Sequence, residues 1–190
     1  VTTYTIRQAA PADVESVADL ITGSARWMHA RGWDAWPRDG FPVERLMLDI
    51  KDQTTWLLED SGKAIGTLVL DTRPDEEFIA AGLGVAGEPV TRALLVHKMA
   101  VDRRRAGIGL GGLLLDWACD RAAQQGRDAV WLNVARRAAS LQNWYAWQGF
   151  DCMTVVTSTG RPSGSLWTRP ARPQPHLAGL VTTLVGTDED

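Results

Sequence analysis

The residues Arg103-Arg104-Arg105-Ala106-Gly107-Ile108-Gly109-Leu110-Gly111-Gly112 follow an apolar run and open a helical pattern. Glycines let the backbone approach an oxyanion with no Cβ in the way, and unpaired amides at a helix start favour negative charge. The chemistry that fits is the holding of a diphosphate. A ligand-free strand-to-helix turn would use glycine too, but it would have no need of three consecutive arginines. Gly107, Gly109 and Gly112 also spell the GxGxxG of dinucleotide-binding folds, with Arg136 and Arg137 as conceivable partners for a 2′-phosphate. That fold demands more strand and helix alternations than the remaining chain supplies, and an acidic residue that is missing from the end of the next strand. No Gly-Lys-Ser or Gly-Lys-Thr occurs, which excludes a phosphate-binding P-loop.

Such a turn works only if its neighbours position it. Residues 94–101 read as an apolar strand entering the turn, and residues 111–125 keep a broad apolar helical stripe that Gly126 terminates. Residues 129–134 are apolar at nearly every position, as a strand covered on both faces should be, and a right-handed parallel crossover would connect the two strands. Upstream, the patterns predict a strand at 4–8, a helix over 10–31 and a loop at 32–42 able to cover a site. A short helix at 43–50 and a hairpin of strands 55–59 and 64–70 follow. The stretch 71–92 reads as a surface loop with an acidic start. Downstream come a helix at 140–148, strands at 150–157 and 165–169, a break at 170–175, and a tail at 177–186 apolar enough to dock, with solvated acids at 188–190.

The chain has 190 residues, 45% hydrophobic and 23% charged, which suits one domain with its own core. A net charge of -3 gives no reason to expect nucleic acid. No apolar run is long enough to span a membrane and no signal-like pattern opens the sequence, so a cytoplasmic protein is expected, with no membrane partner. Cys119 and Cys152 form neither a CxxC nor a Cys/His set, so both are expected as buried free thiols, and no metal is expected. The nine tryptophans are expected mainly in the core.

Three segments together carry a resemblance: His97-Lys98-Met99-Ala100-Val101 running into the glycine turn, Gly111-Gly112-Leu113-Leu114-Leu115 after it, and Trp144-Tyr145-Ala146-Trp147-Gln148-Gly149-Phe150. In their order and spacing the chain resembles the GNAT superfamily of N-acetyltransferases over roughly residues 4–169. The resemblance implies an α/β (mixed α+β) single domain at 1–169. Its central sheet would be mixed and mostly antiparallel, with a parallel splayed strand pair at the cofactor site and flanking helices, leaving 170–190 as a C-terminal tail. It implies acetyl-CoA as cosubstrate. The family's turn motif fits in two registers, on Arg104, Gly107 and Gly109 or, without gaps, on Ala106, Gly109 and Gly111. The gapless register is preferred, so Ala106 replaces the usual arginine or glutamine and Arg104 or Arg105 would substitute. Ala138 stands where the family often has an asparagine. The cofactor-binding residues implied are Met99, Ala100, Val101, Arg104, Arg105, Ala106, Gly107, Ile108, Gly109, Leu110, Gly111 and Asn133.

The resemblance also implies transfer of an acetyl group to a primary amine of a small molecule or peptide, by direct attack in a ternary complex. Tyr145 would be the leaving-group acid and a strand amide near Met99 the oxyanion donor; the plain alternative is a core tyrosine packed on Trp144 and Trp147. The base is open among Glu59, Asp71, Asp75, Glu76, Glu77 and His97. Trp33, Trp36 and Glu76 are expected beside the acceptor, and the acids suggest a cationic amine. A non-catalytic acyl-CoA-binding sensor is the competing class, and a homodimer is compatible with the apolar tail.

Overall fold

Ser61 and Gly62 both take positive φ, 53° and 77°, the geometry that a two-residue hairpin turn requires. They join β2 (Thr55–Asp60) to β3 (Lys63–Asp71). In the computed structural model, which describes residues 3–185, this hairpin lies within an eight-stranded sheet of order β6-β7-β5-β4-β3-β2-β1-β8. β1 (Tyr4–Gln8) runs antiparallel to β2, and β4 (Ala93–Val101) antiparallel to β3. β5 (Ala129–Val134) is parallel to β4, β7 (Ser165–Pro170) is antiparallel to β5, and β6 (Asp151–Val155) forms one edge. The sheet is therefore mixed and mostly antiparallel, as expected.

Helices cover both faces. On one face α1 (Val14–His29) and α2 (Val43–Lys51) bury Val17, Ile21, Leu46 and Ile50 against Leu57 and Ala100. On the other, α4 (Leu110–Gln124) buries Leu114, Leu115, Ala118 and Ala122 against Leu58, Leu68, Val96 and Leu132. Each strand thus sends alternate side chains into different helix layers, which is why residues 129–134 are apolar almost throughout. α5 (Ala139–Trp147) joins the α4 layer through Leu141, Trp144 and Tyr145.

Two irregularities shape the centre of the sheet. β4 and β5 are paired from Ala93↔Ala129 to Val96↔Leu132, and no rung joins them beyond, although β4 continues to Val101 and β5 to Val134. The parallel pair therefore forks. At the fork β4 carries a bulge: Thr67 faces Ala100 but Val69 faces His97, and Lys98 takes φ 44°. An inserted residue breaks the alternation of faces. His97 and Lys98, though consecutive, consequently both lie on the α1/α2 face, where Lys98 pairs with Asp49 of α2 at 2.7 Å.

Three expectations change. The stretch 71–92 is not purely a surface loop: Asp75 caps a short helix α3 (Glu76–Ala80) by accepting from the Phe78 amide, and Glu77 and Phe78 are wholly buried. Cys119 is buried, but Cys152 is exposed, because β6 is an edge strand with no layer over it. The first helix begins at Val14 after a 3-10 turn at Pro11–Asp13, rather than at residue 10. The tail docks as β8 (Val181–Leu184), parallel to β1, with the Trp117 indole donating to Thr183 at 2.9 Å; residues 188–190 lie outside the described residues. Among the described residues no helix is long and apolar enough to cross a membrane.

Candidate active site

The run of three arginines resolves into different roles. Asp102 caps a 3-10 turn, Arg103–Arg105, by accepting from the Arg104 amide, and it also holds the Arg104 guanidinium at 2.9 Å. Arg105 is paired with Asp60, which holds that carboxyl below the usual carboxylate range. Beyond Ala106 the chain turns on Gly107 and Gly109 at φ 89° and 88°, a region that side chains disfavour, and α4 begins at Leu110. Among the described residues the backbone N–H groups of residues 107–112 meet no acceptor; the next one, Leu113, donates to the Gly109 carbonyl at 3.0 Å. Residues 106–109 are exposed. Six consecutive free donors at a helix start form a cradle for an anion.

The glycines that follow serve packing. A Cβ on Gly111 would come within 3.1 Å of Trp144, and one on Gly112 within 2.9 Å of the Gln148 Oε1, so both let α5 close on the first turn of α4. A cavity of about 660 Å³ opens there, lined by Ile108, Gly109, Leu113, Trp147, Arg169 and His176 among others.

Tyr145 of α5 packs edge-on against Trp144 at 5.0 Å and Phe150 at 6.0 Å. Trp147, expected in the core, is instead 81% exposed. The Tyr145 hydroxyl has no hydrogen-bond partner among the described residues, and burial pushes the phenol up to about 12. It stays protonated at neutral pH.

The candidate bases separate by partner. Glu59 is held by Arg7 at 2.7 Å, Asp71 by Arg73 at 3.0 Å, and the half-exposed Glu76 by Arg161 at 2.9 Å. Asp75 caps α3 and accepts from Asn133 Nδ2 at 2.8 Å. His97 lies where β4 and β5 part, and its ring nitrogens have no hydrogen-bond partner among the described residues. Burial lowers its pKa below the ordinary 6.5, with Asp75 opposing and Lys98 assisting the shift, so the ring is neutral at physiological pH. A depressed histidine pKa supplies stability above the unfolded-state value that is lost as the pH falls through the folded one. Melting temperatures measured below about pH 6.5 should accordingly fall less steeply for His97→Gln than for the wild type.

Glu77, 0% exposed, accepts from Asn133 Nδ2 at 3.1 Å, Thr159 Oγ1 at 2.9 Å and Ser163 Oγ at 3.1 Å. Asn133 Oδ1 in turn accepts from the Gly164 amide at 2.7 Å. The polar atoms of Asn133, expected at the cofactor, are thus engaged by protein, in a network that fastens the β6–β7 loop to α3. Removing the buried carboxylate takes the acceptor from the half-buried Thr159 and Ser163 hydroxyls, while Asn133 keeps its bond to Asp75, so Glu77→Ala should cost about 2 kcal/mol, a melting point lower by roughly 4–8 °C, which calorimetry would read directly.

Of the aromatic pair expected near the acceptor, Trp33 stands edge-on to Trp27 at 5.4 Å and Trp36 tilts against Phe41 at 5.7 Å. Phe41 faces the Lys98 ammonium at 5.6 Å. The Lys98–Asp49 pair at the fork leaves no signal in the sequence, since its partners are 49 positions apart and only the bulge turns Lys98 toward α2. Among the described residues no cluster of His, Cys, Asp and Glu is suited to a metal.

These features have counterparts elsewhere. The chain is 25% identical over 148 residues, 77% of its length and 81% of the relative's, to the uncharacterized N-acetyltransferase YesJ of Bacillus subtilis (strain 168). Its fold matches that of a GNAT-family acetyltransferase from Listeria monocytogenes 4b F2365 with a TM-score of 0.71 at 21% identity, covering 88% of this chain and 94% of that one. It also matches the PaiA N-acetyltransferase of Thermoplasma acidophilum, solved in complex with coenzyme A, with a TM-score of 0.66 at 14% identity over 88% and 99% of the two chains. The model of the Acetyltransferase (GNAT) family matches residues 18–150, which take in strands β2 to β5 together with the glycine turn and the fork. With that match spanning well over half its length, the chain belongs to the acetyltransferase (GNAT) family and is an acetyltransferase of that type.

Proposed function

We propose that this enzyme transfers an acetyl group from acetyl-CoA to a primary amine of a small molecule or peptide by direct attack, with Tyr145 as acid for the leaving thiolate and His97 as base. The observation that carries the reading is the run of six partnerless amides, residues 107–112, at the head of the helix that leaves the forked strand β4. Those amides fit the diphosphate of coenzyme A, and the unpaired edge of β4 at residues 97–101 offers backbone groups to the amides of its pantetheine arm. Bound acetyl-CoA supplies a thioester-activated acetyl group.

The remaining chemistry falls to side chains. An alkyl ammonium, pKa near 10.4 in water, must lose a proton before it attacks, and His97 is the neutral, unpartnered group at the fork; Glu59, Asp71, Asp75, Glu76 and Glu77 all have protein partners. The Tyr145 phenol, up near 12, is a weaker acid than a free thiol near 8.5. It therefore assists as a hydrogen-bond donor to the developing thiolate, whose charge it stabilises more than it neutralises. Trp36 and Phe41, packed on the α1/α2 layer, wall the acceptor side, with Trp33 against Trp27, the ring that Arg103 beside the turn covers.

Free-thiol release from acetyl-CoA, followed over a panel of primary amines, tests the proposal. Acceptor-dependent turnover that drops in His97→Gln is expected. Tight coenzyme binding with no amine-dependent thiol release across the panel would instead be the behaviour of a sensor, and would refute the catalytic assignment.

A further inference from the structure

Of the three arginines before the glycine turn, only Arg103 lacks a carboxylate partner among the described residues: Arg104 is held by Asp102 and Arg105 by Asp60. Its guanidinium carbon lies 3.9 Å from the centre of the Trp27 ring, and its buried Nε has no hydrogen-bond partner among the described residues. Arg31, just past the end of α1, places its own guanidinium carbon 4.1 Å from the same ring, and its one polar contact is a long 3.4 Å bond to the Trp27 carbonyl. Neither forms an ion pair with a carboxylate among the described residues. Two like charges are thus gathered on one indole beside the glycine turn with no carboxylate among the described residues to neutralise them.

Stacking on Trp27 explains how each guanidinium is held, but not why both are there. Desolvation weakens Arg103's hold on its proton, and the like charge of Arg31 adds to this. A guanidinium held by its face leaves its edge of N–H donors open for the bidentate recognition of a phosphate or carboxylate. A surface coat of solvated charge would show neither the shared ring nor the buried, unpaired Nε.

We propose that Arg31 and Arg103, held on Trp27, form a second anion-binding site on the α1 side of the glycine turn, for a phosphate or carboxylate carried by one of the two substrates. The proposal rests on the acetyl-CoA reading above. It adds a specificity element built from α1 that the family's turn motif does not contain. Two sources could present the anion: the 3′-phosphate of coenzyme A, or an acidic group on the acceptor.

Calorimetric titration of wild type, Arg31→Gln and Arg103→Lys with coenzyme A and with 3′-dephospho-coenzyme A tests the first source. Initial rates with acceptors paired by the presence or absence of a carboxylate test the second. Arg31 is exposed, so Arg31→Gln should fold normally; melting curves of both variants check this. If the 3′-phosphate is the ligand, the wild type binds coenzyme A about 10- to 100-fold more tightly than the dephospho form, and both variants lose most of that preference without loss of dephospho-coenzyme affinity. If the acceptor supplies the anion, the preference that collapses is the one in KM for carboxylate-bearing amines. Variants that fold and keep both preferences at wild-type levels would overturn the site. Failure of the wild type to bind either coenzyme would overturn the acetyl-CoA reading itself, an outcome distinct from both.

Discussion

Replacing Tyr145 by phenylalanine is expected to lower kcat by about 100- to 1,000-fold, the range for loss of a positioned general acid, with the coenzyme dissociation constant unchanged. The prediction is sharp because the hydroxyl makes no hydrogen bond to protein among the described residues, while the ring is fixed by Trp144 and Phe150. A phenylalanine ring keeps those contacts, so no cavity opens and no buried donor is stranded. Steady-state rates together with calorimetric affinity separate a chemical role from a packing role. A tyrosine that merely filled the core would leave turnover intact. An independent signature lies at alkaline pH. The folded-state pKa, about 12, is above the unfolded value near 10, so the stability linked to this group is complete below pH 10 and declines as the pH approaches 12. Tyr145→Phe should be free of that decline. Wild-type turnover in a folded Tyr145→Phe enzyme would end the assignment.

Gly109→Val should weaken coenzyme A binding by roughly 10- to 100-fold, judged from a left-handed backbone cost of about 1–2 kcal/mol per residue plus the loss of amides from the cradle. Gly109 stands at φ 88° and a Cβ there would meet nothing within 4 Å, so the obstacle is the backbone conformation and not a clash. A β-branched residue tolerates that region poorly. The turn must relax, and relaxation re-aims the N–H groups of residues 107–112. Gly87→Val is the matched control: it has φ 79° and equally open surroundings but lies in the loop between α3 and β4. It should lower the melting temperature without moving the coenzyme affinity. Equal loss of affinity in the two variants would mean that general destabilisation, and not the cradle, had been measured.

Both predictions concern features legible in the chain before folding. The glycine turn, the strand before it and the helix after it are local: the periodicity of residues 94–101 and 111–125 and the conformational demands of Gly107 and Gly109 operate over a few positions, and α4 begins and ends only one residue before the stretch that periodicity predicts. The hairpin and the parallel crossover were legible for the same reason. The short helix α3 was not, because a five-residue helix has too little periodicity to register. It exists because Phe78 is buried and Glu77 finds donors in Asn133, Thr159 and Ser163, at least 56 positions away along the chain.

The chain by itself determined the local form of the proposed site, a run of free amides at a strand-to-helix turn with a tyrosine two elements later, because backbone geometry at glycines and the spacing of apolar residues are properties of short segments. Tertiary structure alone decided how the charged groups are shared out. Three adjacent arginines look alike in one dimension; packing gives Arg104 to Asp102 and Arg105 to Asp60, and leaves Arg103 to meet Arg31 over Trp27. The bulge at Lys98 likewise chooses which face His97 and Lys98 share. Electrostatic partnership depends on distance in space, over ångströms that only the folded sheet and its two helix layers establish.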